Sequence, residues 1–261
     1  MGLMKQLMLT VALSAFTSPA WATWSVVALD QRTGEMAIAS ATCVAQARFQ
    51  TFPAEGLKDI QAIVVPGRGI AAAQAGVDRS RANQRLIETE LENGTPPAAI
   101  VEVLRNDPDF ERRQFGIVDV EGRSAGFSGD QNSAASLDVQ GHVDGTGIFY
   151  SIQGNILASD DVVHDAVEAF ARSAGSLTDR VMAAMEAADR AGGDRRCTCE
   201  TEPLTKAPCD TKTSHVAYIF ATDASGELDL DLDVTDENIE PQENANPVKT
   251  LRMRYDEARG R

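Results

Sequence analysis

The sequence predicts an α+β fold, a four-layer αββα sandwich of two antiparallel sheets with helices on the outside. Three observations carry the prediction. Strand-like runs occur as hairpin pairs, amphipathic helical stretches separate them, and small residues dominate the first strands, as suits closely covered sheets. The chain has 261 residues, 43% hydrophobic and 24% charged, enough for one large domain or two small ones. Its net charge of -15 repels phosphate backbones and anionic lipids, which argues against nucleic-acid or membrane-surface partners.

The chain opens on an expected export leader, residues 1–22. Lys5 supplies a basic start, Leu7 to Phe16 an apolar run, and Thr17-Ser18-Pro19 a helix-breaking stretch. Ala20-Trp21-Ala22 then offers small residues at the two positions a signal peptidase reads. The apolar run is too short for a permanent membrane anchor, and no later segment is apolar enough to span a bilayer. The expected localisation is periplasmic or secreted. A cut after Ala22 leaves Thr23 first, with a hydroxyl and a free α-amine on one residue; a cut after Ala20 leaves Trp21 first.

Thr23 to Leu29 and Glu35 to Thr42 form the first expected hairpin, joined by a turn ending in Gly34. Ala62 to Pro66 and Gly69 to Gln74 form a second strand pair. A helix from Ser80 to Glu92 ends at Asn93-Gly94, and another opens at Thr95-Pro96 and stops at Asn106-Asp107-Pro108. Gln114 to Val120 and Arg123 to Ser128 pair about Glu121-Gly122; Gly129 to Asp144 is polar and loop-like. Gly147 to Ile152 is a strand running into Gln153-Gly154-Asn155, followed by helices Asp160 to Ser173 and Ser176 to Ala191. A cysteine-bearing loop leads to strands Thr213 to Thr222 and Glu227 to Val234. The domain is expected to end at 239, with a linker and a helix from Val248 to Ala258 beyond it.

Four cysteines, Cys43, Cys197, Cys199 and Cys209, suit disulfides in an exported chain. One intervening residue strains a Cys197–Cys199 bridge, so Cys43 is expected to join Cys197 or Cys199, and Cys209 the other. Zinc is not expected, because the cysteine spacing fits structural zinc poorly. His142, His164 and His215 show no metal or triad spacing, and Asp229, Asp231 and Asp233 read as the solvated face of an edge strand.

Thr23 is the expected nucleophile, activated by its own α-amine. Asn155 is placed to donate its amide to an oxyanion, with Gln153 and Gln74 beside the substrate. Arg195 can hold a substrate carboxylate, or Asp194 can pair with an arginine such as Arg113, itself a candidate for substrate binding.

Several stretches together resemble the bacterial family labelled domain of unknown function 1028. They are Thr23-Trp24-Ser25-Val26-Val27-Ala28-Leu29-Asp30, Gly69-Ile70-Ala71-Ala72-Ala73-Gln74-Ala75, Arg113-Gln114-Phe115-Gly116-Ile117-Val118-Asp119, Phe127-Ser128-Gly129, Gln153-Gly154-Asn155 and Gly192-Gly193-Asp194-Arg195. The resemblance implies a fold like that of the N-terminal-nucleophile (Ntn) hydrolases and an amide-bond hydrolase acting on a small-molecule or peptide-like substrate. It adds Asp30 and Ser40 as residues that orient the amine or hydroxyl, implies no cofactor, and is compatible with a homodimer. Ala41 stands where the family often has arginine, and Ala73 where it has threonine, so no guanidinium or hydroxyl role is expected there. The second functional expectation is a non-catalytic binding module on the same fold.

Overall fold

Alternation along the strands decides how the layers stack. In β1 (Thr23–Asp30), Trp24, Val26 and Ala28 pack on one face, while Val27 and Leu29 pack on the other. β2 (Met36–Thr42) repeats the rule, with Ala37, Ala39 and Ala41 on the first face and Met36 and Ile38 on the second. Both faces of these two strands are therefore buried, and small side chains keep the layers close. The computed structural model describes residues 23–52 and 54–261; the expected leader, 1–22, lies outside the described residues.

One sheet adds β7 (Ser136–His142), β8 (Ile148–Asn155), β9 (Val216–Thr222) and β10 (Leu228–Thr235), in the order β10-β9-β2-β1-β8-β7. The other comprises β3 (Ala62–Val65), β4 (Gly69–Ala75), β5 (Arg113–Asp119) and β6 (Ser124–Ser128), in sequence order. Every strand pairing is antiparallel. α4 (Asp161–Arg172), α5 (Leu177–Arg190) and α6 (Pro247–Ala258) cover the outer face of the six-stranded sheet, burying Phe170, Met182 and Leu251 against it. α2 (Ala82–Glu92) and α3 (Pro97–Leu104) cover the four-stranded sheet through Ile87, Leu91 and Ile100. The four layers are those expected.

The helices start and stop for local reasons. Ser176 and Asp179 form a capping box at the head of α5, each side chain bonding the other's main-chain N–H. Asn246 caps α6, and its amide also reaches Asp189 Oδ1 at 2.8 Å. The segment expected as a linker is thus docked at its end.

Three features differ from expectation. β7 occupies part of the expected loop Gly129 to Asp144, because Leu137 and Val139 pack inward while Asp138 and Gln140 face the other sheet. A five-residue helix, α1 (Leu57–Gln61), precedes β3, too short to give a periodic signal. β9 begins at Val216 rather than Thr213. At the edge of the sheet, Asp229, Asp231 and Asp233 of β10 are exposed, and Arg259 and Lys58 pair with the first two.

All four cysteines are bonded, as Cys43–Cys197 and Cys199–Cys209, which is one of the two pairings left open. Among the described residues no helix is long and apolar enough to cross a membrane.

Candidate active site

The interface between the sheets is apolar at one end and polar at the other. Val27, Leu29, Ile38, Ile70 and Val118 fill the apolar end. Toward the head of β1 the same faces carry Thr23, Ser25, Ser40, Thr42, Gln74, Gln114, Gln153 and Asn155, all buried. Gly116 and Gly126 make room for this layer: a Cβ on Gly116 would meet the Gln153 carboxamide and Ser151 Oγ, and one on Gly126 would meet Gln140 and Asp138. Glycine there is a matter of space between sheets.

Thr23 begins a central strand rather than an edge one. It stands in register with Thr42 of β2 on one side and Asn155 of β8 on the other. Directly opposed side chains of antiparallel strands lie about 5 Å apart at Cβ, so the three form a compact row. Thr23 Oγ1 lies 3.4 Å from Thr42 Oγ1, and Gln74 Nε2 donates to the Thr23 carbonyl at 3.2 Å. The row ends in unusual backbone. Ala75, after Gln74, has φ 72, and Ile156, after Asn155, has φ 55, a left-handed conformation rare for a β-branched residue.

A chain of carboxamides fixes this end. Tyr218 OH donates to Gln61 Oε1 at 2.9 Å, Gln61 Nε2 donates to Gln74 Oε1, and Gln74 Nε2 donates to Gln114 Oε1 at 2.7 Å. Gln114 Nε2 then reaches Ser128 Oγ at 2.6 Å and the Gly154 carbonyl at 2.8 Å. Burial raises the Tyr218 phenol well above its ordinary value, so it stays a donor, and its direction sets the orientation of every amide below it. Ser25 Oγ donates to Gln74 Oε1 at 2.7 Å and accepts from Gln153 Nε2 at 2.6 Å. The groups joined by these bonds are all neutral hydroxyls and amides.

The structure thus brings together Thr23, Gln74, Gln153, Asn155 and Ser40. The Ser40 hydroxyl donates to the Trp24 carbonyl at 2.7 Å, holding the backbone that follows Thr23. Asp30 is corrected: it lies at the other end of β1, about 23 Å away at ~3.3 Å per residue, and accepts from the Arg32 N–H in the hairpin turn. It cannot orient the amine or hydroxyl of Thr23.

Arg113 borders a small cleft together with Gln74, Asn83 and Gln84, but its guanidinium is taken up by Asp107 at 2.7 Å and the Gly76 carbonyl. Asp194 is fully buried and pairs with Arg196, not Arg113; its Oδ2 accepts from Arg196 at 2.7 Å and from the Cys43 N–H at 2.9 Å. Arg195 is exposed, on the loop that continues toward Cys197. The Asp194 carboxylate thus ties Arg196 to the backbone at Cys43, one residue beyond Thr42 of the row.

Sequence reasoning missed Ser25, Gln61 and Tyr218 as members of the layer. Ser25 was readable, because alternation from Thr23 puts it on the same face; Gln61 sits on a helix too short to read. It also missed that His215 comes beside Cys43 and Cys197. Burial pushes the His215 imidazole down to about 4, with the Lys212 cation acting the same way. The Glu202 main chain acts against this, although neither ring nitrogen has a partner in hydrogen-bond geometry among the described residues.

An α+β sandwich of two antiparallel sheets with a neutral polar layer at the head of its first strand defines the class of protein. The chain belongs to the family of unknown function DUF1028, whose model matches residues 23–238. It is similar to protein SPO2555 from Silicibacter pomeroyi, a DUF1028 crystal structure, at TM-score 0.65 and 21% identity. That match covers 91% of this chain and 89% of the other, and it bears on the fold alone. No curated protein matches the chain.

Proposed function

We propose that this chain is an exported N-terminal-nucleophile amidohydrolase of the Ntn type, with Thr23 freed by cleavage after Ala22. The observation that carries the reading is the position of Thr23. It heads a central strand, in register with Thr42 and Asn155, inside a layer whose hydrogen-bonded members are neutral. A cut before Thr23 would put an α-amine into that layer. An α-amine ordinarily titrates near 7.7–8.0, and a desolvated site favours its neutral, basic form. The amine is then the base the hydroxyl needs.

In the proposed reaction the amine takes the Oγ1 proton as Oγ1 attacks the amide carbonyl. The Asn155 carboxamide donates to the oxyanion. Collapse breaks the C–N bond, the protonated amine gives its proton to the leaving nitrogen, and an ester on Thr23 remains. Water, deprotonated by the same amine, hydrolyses that ester and releases the acid. The left-handed residues after Gln74 and Asn155 support the site reading, because such backbone clusters where geometry is functionally constrained. The family match beginning at residue 23 and the two disulfides support export and cleavage before Thr23.

The test is hydrolysis of an amide library by protein that begins at residue 23. Thr23→Ser should retain turnover of any substrate found, and Thr23→Ala should abolish it. Equal activity of both variants with the parent would remove the nucleophile and leave a binding module.

A further inference from the structure

Cys43, Cys197 and His215 bring their sulfur and ring-nitrogen atoms within 4.8 Å of one another, in an arrangement the Thr23 chemistry does not use. His215 is 1% exposed, yet neither Nδ1 nor Nε2 hydrogen-bonds to the described residues. Leaving a buried polar group unsatisfied costs about 1–3 kcal/mol, and a native site with such a group usually serves a redox role, a water or an ion. Here the neighbours of the ring are two sulfurs, which points to an ion that prefers sulfur and nitrogen donors.

The donors are positioned by bonds that do not involve the disulfide. Asp194 Oδ2 accepts from the Cys43 N–H at 2.9 Å, and the Asp194 carbonyl accepts from the Cys197 N–H at 3.2 Å. The His215 main-chain N–H donates to the Thr42 carbonyl at 2.7 Å. Asp194, fully buried and held by Arg196, therefore fixes both cysteine backbones, and the end of β2 fixes the histidine. Opening the S–S bond leaves the three side chains facing one another. Two thiolates bound tetrahedrally to zinc at about 2.3 Å are roughly 3.8 Å apart. Side-chain rotation can supply that separation across Cα atoms 5.6 Å apart.

We propose that, after a thiol or phosphine reductant opens the Cys43–Cys197 disulfide, Cys43, Cys197 and His215 form a zinc-class metal site. The reductant supplies two electrons to the S–S bond, and solvent supplies two protons, giving two thiols. Binding of the ion releases both protons as the thiolates coordinate, while His215 contributes a ring-nitrogen lone pair and water fills the fourth position. The ligands stand far apart in sequence, so no zinc spacing announces them. The site is adjacent to Thr42, and thus to Thr23, but its existence does not depend on hydrolysis.

Cobalt(II) is the probe, because its thiolate-to-metal charge-transfer bands report sulfur ligation. The protein carrying Cys199→Ser and Cys209→Ser, reduced with a phosphine under anaerobic conditions, should bind one equivalent, displaceable by zinc. His215→Ala in that background should weaken binding at least about tenfold, and Cys43→Ser should lower the charge-transfer intensity. Circular dichroism checks that each variant is folded. Should His215→Ala lose its fold, zinc protection of Cys43 and Cys197 from alkylation in the Cys199→Ser/Cys209→Ser protein decides the matter. Absence of a charge-transfer band, an affinity unchanged by His215→Ala in folded protein, or thiols that zinc leaves unprotected would overturn the proposal.

Discussion

At the residue scale, Thr23 and Gln114 separate chemistry from stability. The Thr23 hydroxyl makes a long contact with Thr42, 3.4 Å, while its backbone is held by the ladder and by Gln74. Thr23→Val keeps the shape and removes the oxygen, so it should abolish hydrolysis while costing about 1 kcal/mol of stability, the worth of one ordinary hydrogen bond. Activity and urea unfolding on the same sample check both. Gln114 does the opposite work. Gln114→Leu takes the acceptor from one Gln74 N–H and the side-chain donor from the Gly154 carbonyl in a buried layer. A loss of about 3 kcal/mol in urea unfolding is expected from two such groups. The position of Thr23 at the head of a strand is legible, because the alternation of β1 starts there, just after the expected leader. The glutamine chain was not, since its members come from β4, β5 and α1 and share no local pattern. Asp30 shows the converse error: a residue near in sequence to Thr23 is carried a whole strand away by an extended backbone.

At the scale of elements, short-range signals were read well and long-range ones poorly. The glycine stop after α2 and the proline start of α3 are written in adjacent residues. β7 reads as loop in the sequence because Asp138, Gln140 and Gly141 are polar or small. Asp138 and Gln140 face Gly126 of the other sheet, where polar side chains fit. The head of α5 also carries a pH prediction. Hydrogen bonding to Arg261, above all, holds the Asp179 carboxyl well below the usual range, with Ser176 and Tyr255 adding to it. A folded-state value below the unfolded one stabilises the protein above about pH 4 and is lost as pH falls through the folded value. Asp179→Ala should therefore cost about 1 kcal/mol near neutral pH, the worth of a cap. The gap between wild type and variant should narrow in acid, as read by thermal melts across pH.

For the whole molecule, the two disulfides should contribute unequally. Cys43–Cys197 spans a separation of 154 residues and Cys199–Cys209 one of 10. Chain-entropy arithmetic gives about 5 kcal/mol for the long loop and about 3 kcal/mol for the short one. Denaturant unfolding of Cys43→Ser/Cys197→Ser against Cys199→Ser/Cys209→Ser should rank them in that order. The hairpin-and-helix rhythm made the four layers readable, because each layer needs only its own period. The sequence leaves Cys43 with Cys197 or Cys199, but the arrival of His215 beside that pair has no local signal, since folding alone joins segments so far apart.

The central claim is that the working chain begins at Thr23, inside a layer built to receive its amine. The most direct measurement is the intact mass and N-terminal sequence of the protein recovered from the cell envelope or medium. A chain whose first residue is Thr23, with an unmodified α-amine, is the predicted result. A chain that begins at Trp21, or one that keeps residues 1–22, would contradict it.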